Sequence, residues 1–108
     1  MKANELMIGN YVKDPYGKEI RLVSVDADAS MLTPIEITDW KLLDLGFSHS
    51  SERIDGELVE EFRFEGETIK RDIYGFYHTD TELQFKYVHT LQNFFTLLGK
   101  TLELVSYN

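Results

Sequence analysis

The chain lacks several features that would point to particular classes of protein. It contains no cysteine, which excludes a disulfide framework, a thiolate nucleophile and a cysteine-bound zinc site. No apolar run approaches the ~18 residues of a membrane-spanning helix, and the polar opening MKANEL lacks the charged-then-apolar layout of a signal peptide. These absences predict a cytoplasmic protein with no membrane partner.

Basic residues are also scarce. The chain has 11 basic and 19 acidic residues, for a net charge of -8, and residues 51–80 alone carry four basic and nine acidic groups. Such a balance repels phosphate backbones, so we expect no nonspecific binding to nucleic acid. The glutamates between Glu57 and Glu67 are typical of a solvated strand face, although they also suit a basic partner.

Motifs that carry chemistry are missing as well. Neither phosphate-binding glycine pattern occurs, and Gly99 is expected to end a helix rather than to cradle a phosphate. The serines around His49 have no glycine elbow, so a nucleophilic triad is not predicted. The sequence therefore predicts no catalytic residue, no cofactor-binding residue and no enzyme.

Two stretches have the residue types of a metal-binding site. His78, Asp80 and Glu82 alternate, which would align three ligands on a strand, but the threonines between them and the nearby turn favour a plain loop. Residues 26–37 begin like a calcium-binding loop but lack its glycine at the sixth position and its glutamate at the twelfth. No metal site is predicted.

What is present indicates one small globular domain. The chain has 108 residues, of which 43% are hydrophobic and 13% aromatic, enough to build a single core. The hydrophobic patterns follow one another in the order ββ-α-βββ-α-β, which predicts an α+β domain over residues 1–108. Residues 48–56 are polar and turn-rich and are predicted to form an internal joint.

The first half of the chain contains recognisable turn and cap signals. Proline and glycine in residues 14–17 predict a type I turn within a hairpin, similar to the start of a small SH3-like barrel. Thr38 suits an N-cap and Gly46 a left-handed terminus, so a helix is predicted over residues 39–45. Trp40 is predicted to pack in the core.

The second half predicts strands followed by a helix. Alternating residues predict strands over 58–65 and 68–73, joined by a tight turn at Gly66, and a third strand over 82–87. A short final strand is predicted over residues 101–105.

Between these strands lies the strongest periodic signal, an amphipathic helix over residues 87–98. Its apolar face, predicted to pack on an antiparallel sheet, holds Tyr87, Val88, Leu91, Phe94, Phe95 and Leu98. The opposite face is predicted to be exposed, and it is the candidate protein-binding surface, formed by His89, Gln92, Asn93 and Thr96.

Three stretches carry a resemblance to a known family: MKANELMIGNYV, ITDWKLLDLGF and YVHTLQNFFTLLGKTLEL. They are similar to segments of a family of small uncharacterised proteins encoded by Bacteroidetes genomes and their phages and prophages. The resemblance spans nearly the full chain, although residues 48–80 match only in their rhythm of short strands, and Met7 stands where members often carry a basic residue. It implies a mobile-element or accessory context and transfers no catalytic residue.

Functions from three classes fit these observations. We favour a non-enzymatic protein-interaction module with an unknown protein partner, because the chain is acidic and carries no catalytic set. The alternative is a nucleic-acid-binding accessory protein, whose basic patch would consist of Arg53, Arg63, Lys70 and Arg71. The third is a small hydrolase, which would require His78, Asp80 or His89 to converge with carboxylates in a cleft.

Overall fold

The strands occur in two consecutive antiparallel runs, each followed by an α-helix, in agreement with the α+β prediction. The computed structural model describes residues 1, 3–25 and 27–105, with two α-helices and two open antiparallel sheets. The described residues fall into two compact units. Unit 1 combines residues 1–36 with 87–101, and unit 2 combines 37–86 with the described residues from 102 onward. In the described part of the chain, no helix has the length and apolar character needed to cross a membrane.

Unit 1 contains the predicted hairpin, which follows a short 3-10 helix at Ala3–Glu5. Strands β1 (Tyr11–Lys13) and β2 (Glu19–Arg21) pair antiparallel, and the Gly17 N–H donates to the Asp14 carbonyl at 2.9 Å across the turn. The Asp14 carboxylate also accepts hydrogen bonds from two backbone N–H groups of this turn. Among the described residues this sheet consists of two strands and is open, so β1 and β2 do not close a barrel there.

Helix α2 (Val88–Leu97) completes unit 1 and ends, as predicted, before Gly99, which has a φ of 76°. Leu91 and Phe95 are fully buried, as the helical periodicity predicts. Phe94 is only half-buried.

Leu6, Val12, Leu22 and Ala29 form a hydrophobic cluster in the same unit. Ala29 lies in a short 3-10 helix, Ala27–Met31.

Unit 2 opens with helix α1 (Asp39–Asp44), whose caps are the predicted ones. The Thr38 hydroxyl accepts from the Lys41 N–H at 3.1 Å, and Gly46 takes a φ of 92° after the last turn. The prediction that Trp40 lies in the core is wrong, because its side chain is 78% exposed. The helix buries Leu42 instead, and two residues along a helix correspond to a rotation of about 200°, which places Trp40 on the outside.

The five-stranded sheet of unit 2 is an antiparallel meander in which neighbours in sequence are neighbours in space. Its strands are β3 (Ser48–Ile54), β4 (Glu57–Phe64), β5 (Glu67–Asp72), β6 (Gly75–His78) and β7 (Gln84–Phe85). Asp55-Gly56 and Glu65-Gly66 connect the first three strands, and all four residues have positive φ, the signature of a type I′ turn.

Several sequence predictions in this unit are wrong. The turn-rich joint predicted at 48–56 is an edge strand and its turn, and β6 was not predicted at all. The third strand, predicted over residues 82–87, is shorter in the structure and consists of Gln84–Phe85 (β7). Residues 101–105 form no strand, yet Leu102 and Leu104 are buried. Their side chains contribute to the core without backbone pairing, which sequence alternation alone does not distinguish from a strand.

Candidate functional sites

The polar side of α2, predicted to be an exposed binding surface, is largely internal. His89 and Gln92 are 2% and 5% exposed, Asn93 is half-buried, and only Thr96 is exposed. The expectation of an exposed face is therefore wrong for His89 and Gln92. A binding role for these four residues stays a prediction.

Gln92 and Asn93 attach α2 to the beginning of the chain. The Gln92 amide accepts from the Tyr11 N–H at 2.8 Å and donates to the Gly9 carbonyl at 3.0 Å. The Asn93 amide accepts from the Asn10 side chain at 2.8 Å and donates to the Glu5 carbonyl at 2.9 Å. Burial of the Gln92 amide is tolerated because its oxygen and its nitrogen both have hydrogen-bond partners on the backbone.

His89 is buried without a hydrogen-bond partner for either ring nitrogen among the described residues. The Glu5 carboxylate is the acidic group near it, 4.0 Å from Nε2. Loss of water around the ring lowers the pKa of His89, while the charge of Glu5 raises it and the N-terminal ammonium group lowers it. The net direction is downward from 6.5, so unit 1 holds His89 as a neutral ring.

We expect the stability of the protein to fall as the pH drops below about 6.5, because the unfolded state takes up a proton at His89 before the folded state does. The stability from burying the neutral ring is complete above the unfolded pKa and is lost as the pH falls toward the lower folded pKa. Urea titrations at about pH 7.5 and 5.5 measure this loss.

The matched variant is His89→Leu, which fills a similar volume without a titrating group. It should lose less stability over the same interval than the wild-type protein. The same loss in both proteins would contradict the assignment. The pKa of Glu60 is also lowered, but it starts from 4.5 and therefore affects stability only below this window.

A serine, a histidine and a glutamate do meet on unit 2, but not as a catalytic relay. His49 Nε2 bonds to Glu60 Oε2, and Ser51 Oγ donates to the same oxygen at 2.9 Å. These hydrogen bonds lower the pKa of Glu60. A nucleophilic serine must instead give its proton to the histidine. The arrangement is a carboxylate with two donors, and it provides no activated hydroxyl.

The four basic residues proposed as a nucleic-acid patch are not brought together. Arg63 and Lys70 both pair with Glu61, at 2.9 and 3.4 Å. Arg71 binds Asp39 through two hydrogen bonds of 2.9 and 2.8 Å. Since adjacent residues of a strand point to opposite faces, Lys70 and Arg71 lie on different sides of the sheet. Arg53 also lies on the side opposite Lys70, judged from the strand register.

Unit 2 exposes a group of large apolar side chains at one end of its sheet. Leu58, Ile73 and Tyr74 are 54%, 89% and 79% exposed. They border a groove of about 510 Å³, which we call the sheet-end groove. It is lined by Glu57, Leu58, Val59, Arg71, Asp72, Ile73 and Tyr74. The groove lies where β4 begins and where the β5–β6 connection turns.

A second cluster lies on the same unit. His78, at the end of β6, places Nε2 2.8 Å from Glu67 Oε1, and its Nδ1 lies 2.9 Å from Thr81 Oγ1. One ligand atom each from Glu67, His78 and Asp80 lie within 4.8 Å of one another. The sequence had grouped His78 and Asp80 with Glu82, which is not a member of this group and has a φ of 61°.

Glu67 was missed because its place in the cluster depends on strand register. Ile69 pairs with His78, so Glu67, two residues earlier on β5, has its side chain on the same face as His78. The alternation of side chains between the two faces of β5 and β6 is the signal that would have indicated Glu67.

Comparisons of the chain with protein-family models, with curated proteins and with solved structures found no match.

Proposed function

We propose that this protein is a non-enzymatic protein-interaction module, and that it binds its partner through the sheet-end groove. The observation that carries the proposal is the joint exposure of Leu58, Ile73 and Tyr74 around one concavity. Grouped apolar side chains on a surface are costly to leave in water and are typical of interaction sites. Tyrosine is moreover among the residues that contribute most to binding energy at interfaces.

The charges around the groove favour a partner segment that is basic and carries an apolar anchor. Glu57 and Asp72 contribute two carboxylates to the lining. Its one basic residue, Arg71, is engaged by the Asp39 carboxylate. Residues 51–80 as a whole carry nine acidic against four basic groups. Complementary charge speeds the encounter and selects the partner, while the apolar anchor supplies affinity.

The biological setting belongs to the same proposal. The resemblance of the two terminal stretches to proteins of Bacteroidetes and their phages supports an accessory role for a phage or other mobile element. The absence of cysteine fits a cytoplasmic site of action. A host or phage protein is therefore the partner we propose.

The test is capture of a partner from host lysate by the wild-type protein and by the double variant Ile73→Ser/Tyr74→Ser. Both side chains are almost fully exposed, so the double variant should keep its stability within about 1 kcal/mol. We expect the captured protein to be lost, or its affinity to fall at least about 10-fold. Higher salt should also weaken capture by the wild-type protein.

The matched control is Tyr16→Ser/Val23→Ser, which removes two side chains that are 95% and 85% exposed on unit 1. This control should capture the partner as the wild-type protein does. Undiminished capture by the groove variant, or equal loss in both double variants, would show that the interaction does not use the sheet-end groove.

A further inference from the structure

We propose that Glu67, His78 and Asp80 form a binding site for a divalent first-row transition-metal cation, with Zn²⁺ as the representative ion. Each offers one ligand atom, and these atoms lie within 4.8 Å of one another. Two ligands bound to one tetrahedral ion about 2.1 Å away are roughly 3.4 Å apart. The Glu67 and His78 atoms are 2.8 Å apart, slightly closer than this, so an ion requires a small separation of these two atoms and an approach by Asp80.

The burial of the three side chains suits this closure. His78 is 2% exposed and Glu67 is 18% exposed, so the two inner ligands are held by the fold. Asp80 is exposed and lies in the turn after β6, where its side chain has room to rotate. The backbone of this turn is itself anchored, since the His78 N–H donates to the Leu83 carbonyl and the Glu82 N–H donates to the His78 carbonyl, both at 2.8 Å.

Thr81 positions the imidazole for metal binding. Metal-bound histidines usually donate their second ring N–H to an oxygen, which fixes both the tautomer and the orientation of the ring. Thr81 Oγ1, 2.9 Å from Nδ1, is such an oxygen. Without a cation, Nε2 is the donor in the hydrogen bond to Glu67, because a carboxylate oxygen accepts. With a cation, the proton resides on Nδ1 and Nε2 binds the metal, and the ring keeps its orientation.

The donor set selects the class of ion. One imidazole nitrogen with two carboxylate oxygens suits zinc, manganese or iron better than magnesium or calcium, which prefer oxygen ligands throughout. Three protein ligands also leave at least one coordination position for water. This inference differs from the sequence prediction of no metal, because the sequence offered Glu82 where the fold supplies Glu67.

The experiment is a calorimetric titration of the full chain with Zn²⁺ and, separately, with Mg²⁺. We expect one Zn²⁺ per chain and an affinity for Mg²⁺ at least about 10-fold weaker. Asp80→Asn should weaken Zn²⁺ binding at least about 10-fold without loss of the fold, because Asp80 is exposed. The matched control is Glu82→Gln, an exposed carboxylate of the same turn that lies outside the cluster, and it should bind as the wild-type protein does.

A ¹⁵N spectrum of the His78 ring gives an independent readout. Saturation with Zn²⁺ should leave Nε2 without a proton and Nδ1 protonated in the wild-type protein, and should not do so in Asp80→Asn at the same concentration. The proposal fails if Zn²⁺ does not bind. It fails equally if Asp80→Asn binds like the wild-type protein, if Glu82→Gln loses as much affinity as Asp80→Asn, or if the His78 tautomer does not respond.

Discussion

Phe95→Ala is expected to destabilise the protein by about 3 to 5 kcal/mol, a large part of what a domain of this size has. Phe95 is fully buried in unit 1 and lies edge-on to Phe94, with 6.0 Å between the ring centroids. The substitution removes a buried aromatic ring and leaves a cavity that the neighbouring side chains only partly fill. Chemical denaturation followed by circular dichroism measures the loss, and failure to fold is its extreme form.

The neighbouring Phe94→Ala is the control for this prediction, because it removes the same ring from a half-buried position of the same helix. It should cost at least about 1 kcal/mol less than Phe95→Ala. Equal losses would mean that the two rings are equally buried in solution, against the burial that the structure gives them.

Gln92→Leu should cost about 2 to 4 kcal/mol, although it replaces a polar side chain by an apolar one of similar size. The substitution deprives the Tyr11 N–H and the Gly9 carbonyl of their partner. Tyr11 is 1% exposed, so water does not replace the lost hydrogen bond. A buried group left unsatisfied pays its full desolvation cost, which outweighs the gain from burying a leucine.

Two measurements separate this explanation from a general loss of packing. Hydrogen exchange at the Tyr11 amide should accelerate in Gln92→Leu even under conditions where the protein remains folded. Thr96→Val, an exposed change one turn later on α2, should alter stability by less than about 0.5 kcal/mol. A Gln92→Leu variant as stable as the wild-type protein would show that the amide is dispensable.

The features that the sequence predicted correctly are local ones. Thr38 and Gly46 mark the two ends of α1, and the turn at residues 14–17 forms as expected, because each signal is read within four or five neighbouring residues. The helical period likewise placed Leu91 and Phe95 inside. Such patterns need no knowledge of what lies across the fold.

The errors arise where distant residues decide the outcome. Strand β3 was not predicted because all seven of its residues are exposed. Without a buried face, its sequence does not show the alternation of apolar and polar residues that indicates a strand. Asp55-Gly56, a strong hairpin dipeptide, is the local signal for the turn that ends this strand. His89 and Gln92 were predicted to be exposed because they are polar. Gln92 is buried because it binds backbone groups of Gly9 and Tyr11, which are distant from it in sequence.

The candidate sites follow the same division. Histidine and aspartate in residues 78–80 attracted attention as metal ligands from their spacing alone. Their actual companion, Glu67, becomes visible only when β5 and β6 are paired in register. The sheet-end groove was also beyond prediction, because Ile73 lay within a predicted strand, whereas in the structure it follows β5 in an exposed turn.

Unit 1 combines two segments that are distant in sequence, residues 1–36 and 87–101, and this separation determines when the unit is able to fold during synthesis. Residues 1–36 leave the ribosome before the rest of unit 1, because the Gln92 amide that pairs with Tyr11 is made 81 residues later. The hairpins of the five-stranded sheet, whose partners are adjacent in sequence, pair as soon as they emerge. The first segment of unit 1 therefore lacks its partner helix until α2 has been synthesised, and during that interval its apolar residues are exposed to chaperones and to proteases.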